Sequence, residues 1–297
     1  MSKRNAKPKP LEEHEHSFEP AGLVLRLLPL VLLVAIVASL AVWIRPALRD
    51  RVGDSFEEPV RVEFAWPMAA SNSTWLPRHE QRRLEEMVMG SVGSDPFDQI
   101  SLEQTHALLM SSGWFDSDLR LRRRPDSLLE VSATWRTPAA VVRVGDREHL
   151  VGVGGELLAL EYAAGRSWPV RVIEGVRAPI PRRSGNLLDY GGTWNGGAVQ
   201  ASIALLARLR GHSSWEHVAG VDVSEYQEHE RLIVVTRQGG RIVWGAPPSS
   251  RSPGEVSDED KLRRLARLLD DPAWVSAGMP RVEIYNARVV VHESNTE

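Results

Sequence analysis

Residues Leu27–Ile44 read LLPLVLLVAIVASLAVWI, 18 consecutive residues without a charge. A helix of that length, rising 1.5 Å per residue, spans about 27 Å, close to the hydrocarbon thickness of a bilayer. The run has no polar face, so it does not read as an amphipathic helix laid on a globular core. Arg26 and Arg45 bracket it, and Trp43 falls where an interfacial indole is expected. Pro29 sits in the first turn, where its missing donor costs little. The expectation is a single transmembrane helix with the bulk of the chain on one side.

Ser39-Leu40-Ala41 offers a small-x-small site for cleavage of a signal peptide. The long segment before the run carries Glu12, Glu13, Glu15 and Glu19, which favours an uncleaved anchor. Lys3, Arg4, Lys7, Lys9 and Arg26 precede the run; Arg45, Arg49, Arg51 and Arg61 follow it. That balance leaves orientation open on charge alone. Residues 1–26 read as a disordered tail, and residues 45–57 as a charged linker. His14-Glu15-His16 has no second ligand cluster and reads as a solvated acidic stretch rather than a metal site.

The formal net charge is −3, from 36 basic and 39 acidic side chains, and does not fit a dedicated nucleic-acid binder. With no cysteine, disulfides, thiolate nucleophiles and Cys-ligated zinc are excluded.

Beyond residue 57 the pattern changes. Val60, Val62, Phe64 and Trp66 alternate with Arg61, Glu63 and Ala65, which predicts a half-buried strand. Pro77 opens a helix carrying Leu84, Met87 and Val88 on one face. A second helix is expected from Ser101, with Gln104 completing a capping box, to about Gly113. Leu119 and Leu121 alternate with Arg120 and Arg122. Arg124-Pro125-Asp126-Ser127 reads as a turn, and Leu129, Val131, Ala133 and Trp135 as the return strand. The predicted order over residues 58–137 is β-α-α-β-β.

Residues 138–297 read as a mixed, mainly β domain. A strand near Val151 runs into Gly152, Gly154 and Gly155; without a helix directly behind it, that glycine cluster is a β-turn rather than a nucleotide loop. Tyr190–Gly197 reads as a mobile loop. Ala198–Leu209 is expected to be helical, with Val199, Ile203, Leu206 and Leu209 inward. Strands Arg231–Thr236 and Arg241–Gly245 form a hairpin through Gly239-Gly240. Asp258–Asp270 is a helix with Leu262, Leu265 and Leu269 inward. Strands Arg281–Tyr285 and Ala287–His292 close the fold.

This order and its motifs resemble the FtsQ/DivIB family of bacterial cell-division proteins, over nearly the whole chain. The most specific stretch is Trp114–Ala140: Trp114 after the second helix, Arg123 on the arginine-rich strand, Pro125, Asp126 and Leu128 at the turn, and Arg136, Pro138 and Ala140 at the exit. Leu150-Val151 with Gly154-Gly155, the Gly240–Gly245 hairpin and the closing strands are weaker echoes. Trp135 and Gly152 stand where the family carries acids, and Glu283-Ile284-Tyr285 replaces its Asp-Leu-Arg. The resemblance implies an α+β fold: a cytoplasmic tail, a single transmembrane helix, a POTRA module at 58–137 and a β domain at 138–297. It implies a single-pass protein of the cytoplasmic (inner) membrane, N-terminus inside and most of the chain outside. It further implies a bitopic divisome scaffold that contacts the lipid bilayer and FtsB/DivIC- and FtsL-like partners to control septal peptidoglycan synthesis.

No G-x-S-x-G, H-E-x-x-H, Walker A or zinc pattern occurs. His212 and His217 flank Ser213, Ser214 and Glu216, but five-residue spacing in a loop is not a triad. Catalytic residues, cofactor and metal ligands, nucleic acid and small-molecule substrates are therefore not expected. The resemblance places partner docking on the last strand, at Arg288, Val289, Val290, Val291 and His292. Three consecutive valines fit an open docking edge and a strand buried on both sides equally well. Arg120, Arg122 and Arg123 are expected to form a second, basic surface on the POTRA module. Two other readings stand beside the scaffold: a POTRA-bearing export or envelope-assembly component, and an anchored enzyme whose site is assembled from scattered residues.

Overall fold

A computed structural model describes residue 39 and residues 60–69, 73–93, 95, 97–124, 127–166, 170–248, 250, 252–271, 276 and 281–292. Residues 59–297 form one compact unit. Its first part runs β1 (Arg61–Phe64), α1 (Arg78–Ser91), α2 (Gln99–Ser111), β2 (Arg120–Arg123) and β3 (Leu128–Ser132). The β-α-α-β-β order is thus observed. β3 lies in the middle of a three-stranded sheet, parallel to β1 and antiparallel to β2. Strand alternation sorts the side chains: Phe64, Leu129 and Val131 are buried, while Arg61, Glu63, Arg120 and Arg122 face outward.

The start of α2 differs from expectation. Asp98, not Ser101, is the N-cap: its carboxylate accepts the Ser101 backbone N–H at 3.1 Å. That bond, chiefly, holds the Asp98 carboxyl below its ordinary pKa. Ser101 lies inside the first turn, buried, with its hydroxyl turned back on the Asp98 carbonyl at 3.1 Å. Both residues can cap, and the one three positions earlier satisfies the orphan donor first. Pro125 and Asp126 of the expected turn lie outside the described residues.

The second part contributes β4 (Pro138–Val144), β5 (Arg147–Gly152), β6 (Leu157–Ala163), β7 (Arg171–Glu174), α3 (Ala198–Arg210), β8 (Val218–Asp222), α4 (Tyr226–His229), β9 (Leu232–Thr236), β10 (Arg241–Gly245), α5 (Asp258–Leu269), β11 (Arg281–Glu283) and β12 (Val290–His292). They form a nine-stranded mixed sheet in the order β12-β11-β10-β9-β8-β7-β4-β5-β6. β7 and β8 are parallel, and a Cβ on Gly220 would sit 1.9 Å from the Val172 carbonyl oxygen, so glycine is required there. The closing strands are shorter than expected. β12 begins at Val290, and Arg288 lies in the bend before it.

Gly152, Gly154 and Gly155 form the β5–β6 turn. The Glu156 carboxylate accepts the Gly154 N–H at 3.0 Å, so the chain's own acid occupies the position a phosphate would take. The segment Tyr190–Gly197, expected to be mobile, is pinned. Trp194 is 1% exposed and donates its indole N–H to the Ala178 carbonyl at 3.2 Å. The Gly191 and Trp194 backbones donate to Leu157 and Gly155 at 2.7 and 2.9 Å.

The large sheet is covered on one face from β6 to β11, and on the other over β4–β7. One face, with Val142, Ile173, Val221, Val234 and Trp244, packs against α3 and α5. On the other, Val141, Leu150, Leu158 and Leu160 share a core with Phe64, Leu84, Val88, Trp114 and Leu129 of the first part. Hydrophobic packing therefore continues across residues 137–138. Gly113 and Gly191 meet at this seam: at φ +79, a Cβ on Gly113 would lie 2.8 Å from the Gly191 nitrogen. Arg136 donates to the Gly113 carbonyl at 3.1 Å.

The expected fold class is corrected. The described residues make a mixed α/β fold of two sheets and five helices. Among them, no helix is long and apolar enough to cross a membrane; α1, at 14 residues, is too short and too polar. The run Leu27–Ile44 that carried the expectation of a transmembrane helix lies outside the described residues, apart from Ser39. The single-pass inner-membrane placement rests on such a helix and is not supported.

Candidate docking edge

The C-terminal strand is built from three local decisions. Ser257 caps α5, accepting the Asp260 N–H at 3.2 Å, and Asp258, Glu259 and Asp260 fill its first turn. Leu265 and Leu269 then bury one face of α5 against the sheet. From the adjoining face, the Arg264 guanidinium donates to the carbonyls of Ile284 and Ala287, each at 2.9 Å, and to that of Asn286. These bonds hold the turn that reverses the chain from β11 into β12.

β11 runs parallel to β10, and β12 returns antiparallel to β11, pairing Arg281 with His292, Val282 with Val291 and Glu283 with Val290. Among the described strands β12 ends the sheet and has a neighbour on one side only. Val289, Val290 and Val291 are 40%, 36% and 42% exposed. Two-sided burial, which the sequence left open, does not occur. The opposite end of the sheet is different: the first residues of β6 are bonded by loop 191–194, with the Leu157 N–H on the Gly192 carbonyl at 2.9 Å.

The two faces of the edge are chemically distinct. Val291 stands beside Val282, on the side of the main core. Val290 and His292 stand on the other side, beside a charged network. His292 Nε2 lies 3.2 Å from Glu283 Oε1, and Asn286 Nδ2 donates to Glu283 Oε2 at 3.0 Å. Arg281 forms a two-pronged pair with Glu225, one contact at 2.8 Å. Its hydrogen bonds hold the Glu225 carboxyl below its ordinary pKa and raise that of Arg281. Burial, and next the bond to Glu283, push the Tyr285 hydroxyl up.

The other residues singled out from sequence divide. Arg120 and Arg122 are exposed on β2, which is an edge of the small sheet. Arg123 points the other way and donates to the Gly93 carbonyl at 2.7 Å, so it does not join them on the outer surface. His212 Nδ1 lies 2.9 Å from the Ser214 hydroxyl, but the same nitrogen caps the Ser214 backbone N–H at 3.3 Å, and Ser214 is buried. That pair is a turn cap. Among the described residues no group of three or more His, Asp or Glu is placed to hold a metal. A cavity of about 120 Å³ lies beside Gly239, Arg241, Ser276 and Arg281, below the several hundred Å³ of a small-molecule site. Arg264, Arg281 and Glu283 were not legible as site residues. Arg264 is one of seven charges in the twelve residues of α5, and Arg281 and Glu283 read as the polar side of an alternating strand, so neither pattern marks them out.

No family model matches this chain, and no curated protein matches it.

Proposed function

We propose that this chain is a non-enzymatic assembly protein that takes an extended partner segment as an added strand on β12. The observation that carries this reading is the terminal position of β12, with Val289–Val291 exposed beside a structured turn. An edge strand presents a row of N–H and C=O groups ready to pair, and natural proteins usually guard such rows. Here the guard is slight: Arg288 lies outside the strand, and His292 is paired inward to Glu283. Added backbone bonds, at about 0.5–1.5 kcal/mol net each, supply affinity, and alternate side chains supply specificity. The partner sees an apolar side at Val291 and a charged side at His292 and Glu283.

The resemblance to FtsQ/DivIB proteins supplies the partner class. It is FtsB/DivIC- and FtsL-like bitopic division proteins, and the role is control of septal peptidoglycan synthesis. The test places a photocrosslinking residue at Val290 or Val291, and a control at Leu187, which is 69% exposed on a different loop. Adducts with an FtsB/DivIC-like protein from the edge positions alone support the reading. Equal adducts from Leu187, or none from the edge, overturn it.

A further inference from the structure

At the end of the large sheet where β7 and β8 begin, two arginines flank one indole and a third lies close enough to act on the first by charge. α3 ends at Arg210, the chain turns at Gly211, and the 3-10 turn Ser213–His217 brings Trp215 back beneath β7. The Arg171 guanidinium carbon lies 4.2 Å from the centre of the Trp215 ring, and its Nη2 donates to the Trp215 carbonyl at 2.9 Å. The Arg210 guanidinium carbon lies 5.8 Å from the same ring. Arg237 follows β9 and donates its backbone N–H to the His217 carbonyl at 2.8 Å, two residues from Trp215.

We infer that Arg171 and Arg210, which flank Trp215, form with the neighbouring Arg237 a binding site for a phosphate-type oxyanion. Three observations carry this. Several arginines of the same sheet and its loops are paired with acids: Arg143 with Glu148, Arg147 with Glu161, Arg177 with Glu228, Arg281 with Glu225. Among the described residues Arg171, Arg210 and Arg237 have no such pair. Among the described residues the buried Arg171 Nε has no hydrogen-bond partner, so the positive charge of this guanidinium is incompletely compensated by the protein. After burial, the strongest influence on Arg171 is the repulsive charge of Arg237, with Glu216 opposing and Arg210 adding.

The carbonyl end of α3 favours Arg210 at its position but carries only about half a charge, far less than three guanidiniums. Stacking on Trp215 fixes the plane of Arg171 before any ligand arrives, so little rotamer entropy remains to be lost. A tetrahedral dianion matches the fork geometry of guanidiniums and can accept from more than one at once. Arg210 and Arg237 are exposed, leaving the cluster open to solvent on one side.

The test follows the arginine Nε–H resonances of the full chain during titration with inorganic phosphate, against chloride at matched ionic strength. A second arm measures co-sedimentation with phosphatidylglycerol vesicles, against phosphatidylcholine. Saturable binding of either probe is expected, weakened at least about tenfold in the R210Q/R237Q variant with an unchanged unfolding midpoint, since two charge-assisted bonds are lost. The arm that responds tells whether the phosphate is free or on a lipid headgroup. Binding of neither probe, or undiminished binding by the variant, overturns the assignment.

Discussion

Arg264 of α5 and Ala287 of the β11–β12 turn are joined by a guanidinium-to-carbonyl hydrogen bond of 2.9 Å, one of three that the same side chain makes to this turn. The helix thereby sets the position of the β12 edge, the strand proposed to take a partner. Arg264→Leu should cost about 1–3 kcal/mol, because bonds from a charged donor are lost and three carbonyls return to water. Amide exchange at Val290–His292 should accelerate well before that of β9 or β10. Unchanged protection at the edge would show that β12 is held by its strand pairing alone.

The edge can be tested with proline. Along a strand, successive backbone N–H groups point in opposite directions, so of Val290 and Val291 one N–H faces β11 and the other faces outward. Val290→Pro and Val291→Pro should therefore behave differently. One removes a bond to β11 and lowers stability; the other leaves folding nearly intact and abolishes partner capture. A pull-down with the proposed FtsB/DivIC-like partner, run beside a urea titration of each variant, separates the two. If both variants capture the partner fully, β12 is not the docking edge.

The small sheet offers a control for strand register. Val131 is 2% exposed in the shared core, and Arg122 is exposed on the outer face. Val131→Asp buries a carboxylate without a partner and should cost on the order of 3 kcal/mol or more. Arg122→Asp should stay within about 1 kcal/mol. Thermal unfolding of the two variants decides the matter, and equal midpoints would contradict the observed pairing of β2 with β3.

Stability should fall in two steps on acidification. His149 is buried on β5, and burial, opposed mainly by Glu161 at 3.6 Å, holds it below its ordinary pKa of 6.5. An unfolded chain then takes up the proton first, so this contribution is complete above 6.5 and is lost as pH falls through the folded value. Glu225, held below its ordinary 4.5 by the Arg281 hydrogen bonds, has the same sign and adds a lower step. Urea midpoints measured from about pH 7.5 down to about pH 2.5 should show both. His149→Gln should remove the upper step and leave the lower one.

Much of the fold was written in local patterns. The alternation of Val62 and Phe64 with Arg61 and Glu63, the 3.6-residue spacing in Ala198–Leu209, and Gly239-Gly240 between two apolar runs each led to an observed element. Misreadings arose where two local signals competed or where the deciding contact was remote. Asp98 and Ser101 are both good caps, and composition does not choose between them. Nothing near Trp194 announces that Ala178 will accept its N–H, so a glycine-rich stretch read as mobile. Val289–Val291 could belong to a buried strand or an open one, because a valine run carries no information about which strand lies beside it. Arg264 reaches its carbonyl partners across 20–23 residues of chain. No local pattern encodes such a contact.

Val141, Leu150 and Leu158 fill the same core as Phe64 and Trp114, although a sequence boundary near residue 138 separates them. A fragment ending at that boundary would leave one wall of its interior facing water, as would a fragment starting there. Either half expressed alone should therefore expose apolar surface and lose stability, and apolar-to-polar changes along the cut should restore its solubility. Destabilising lesions in the small sheet should lower cellular abundance of the whole chain, including the distant edge, by exposing unfolded material to proteases.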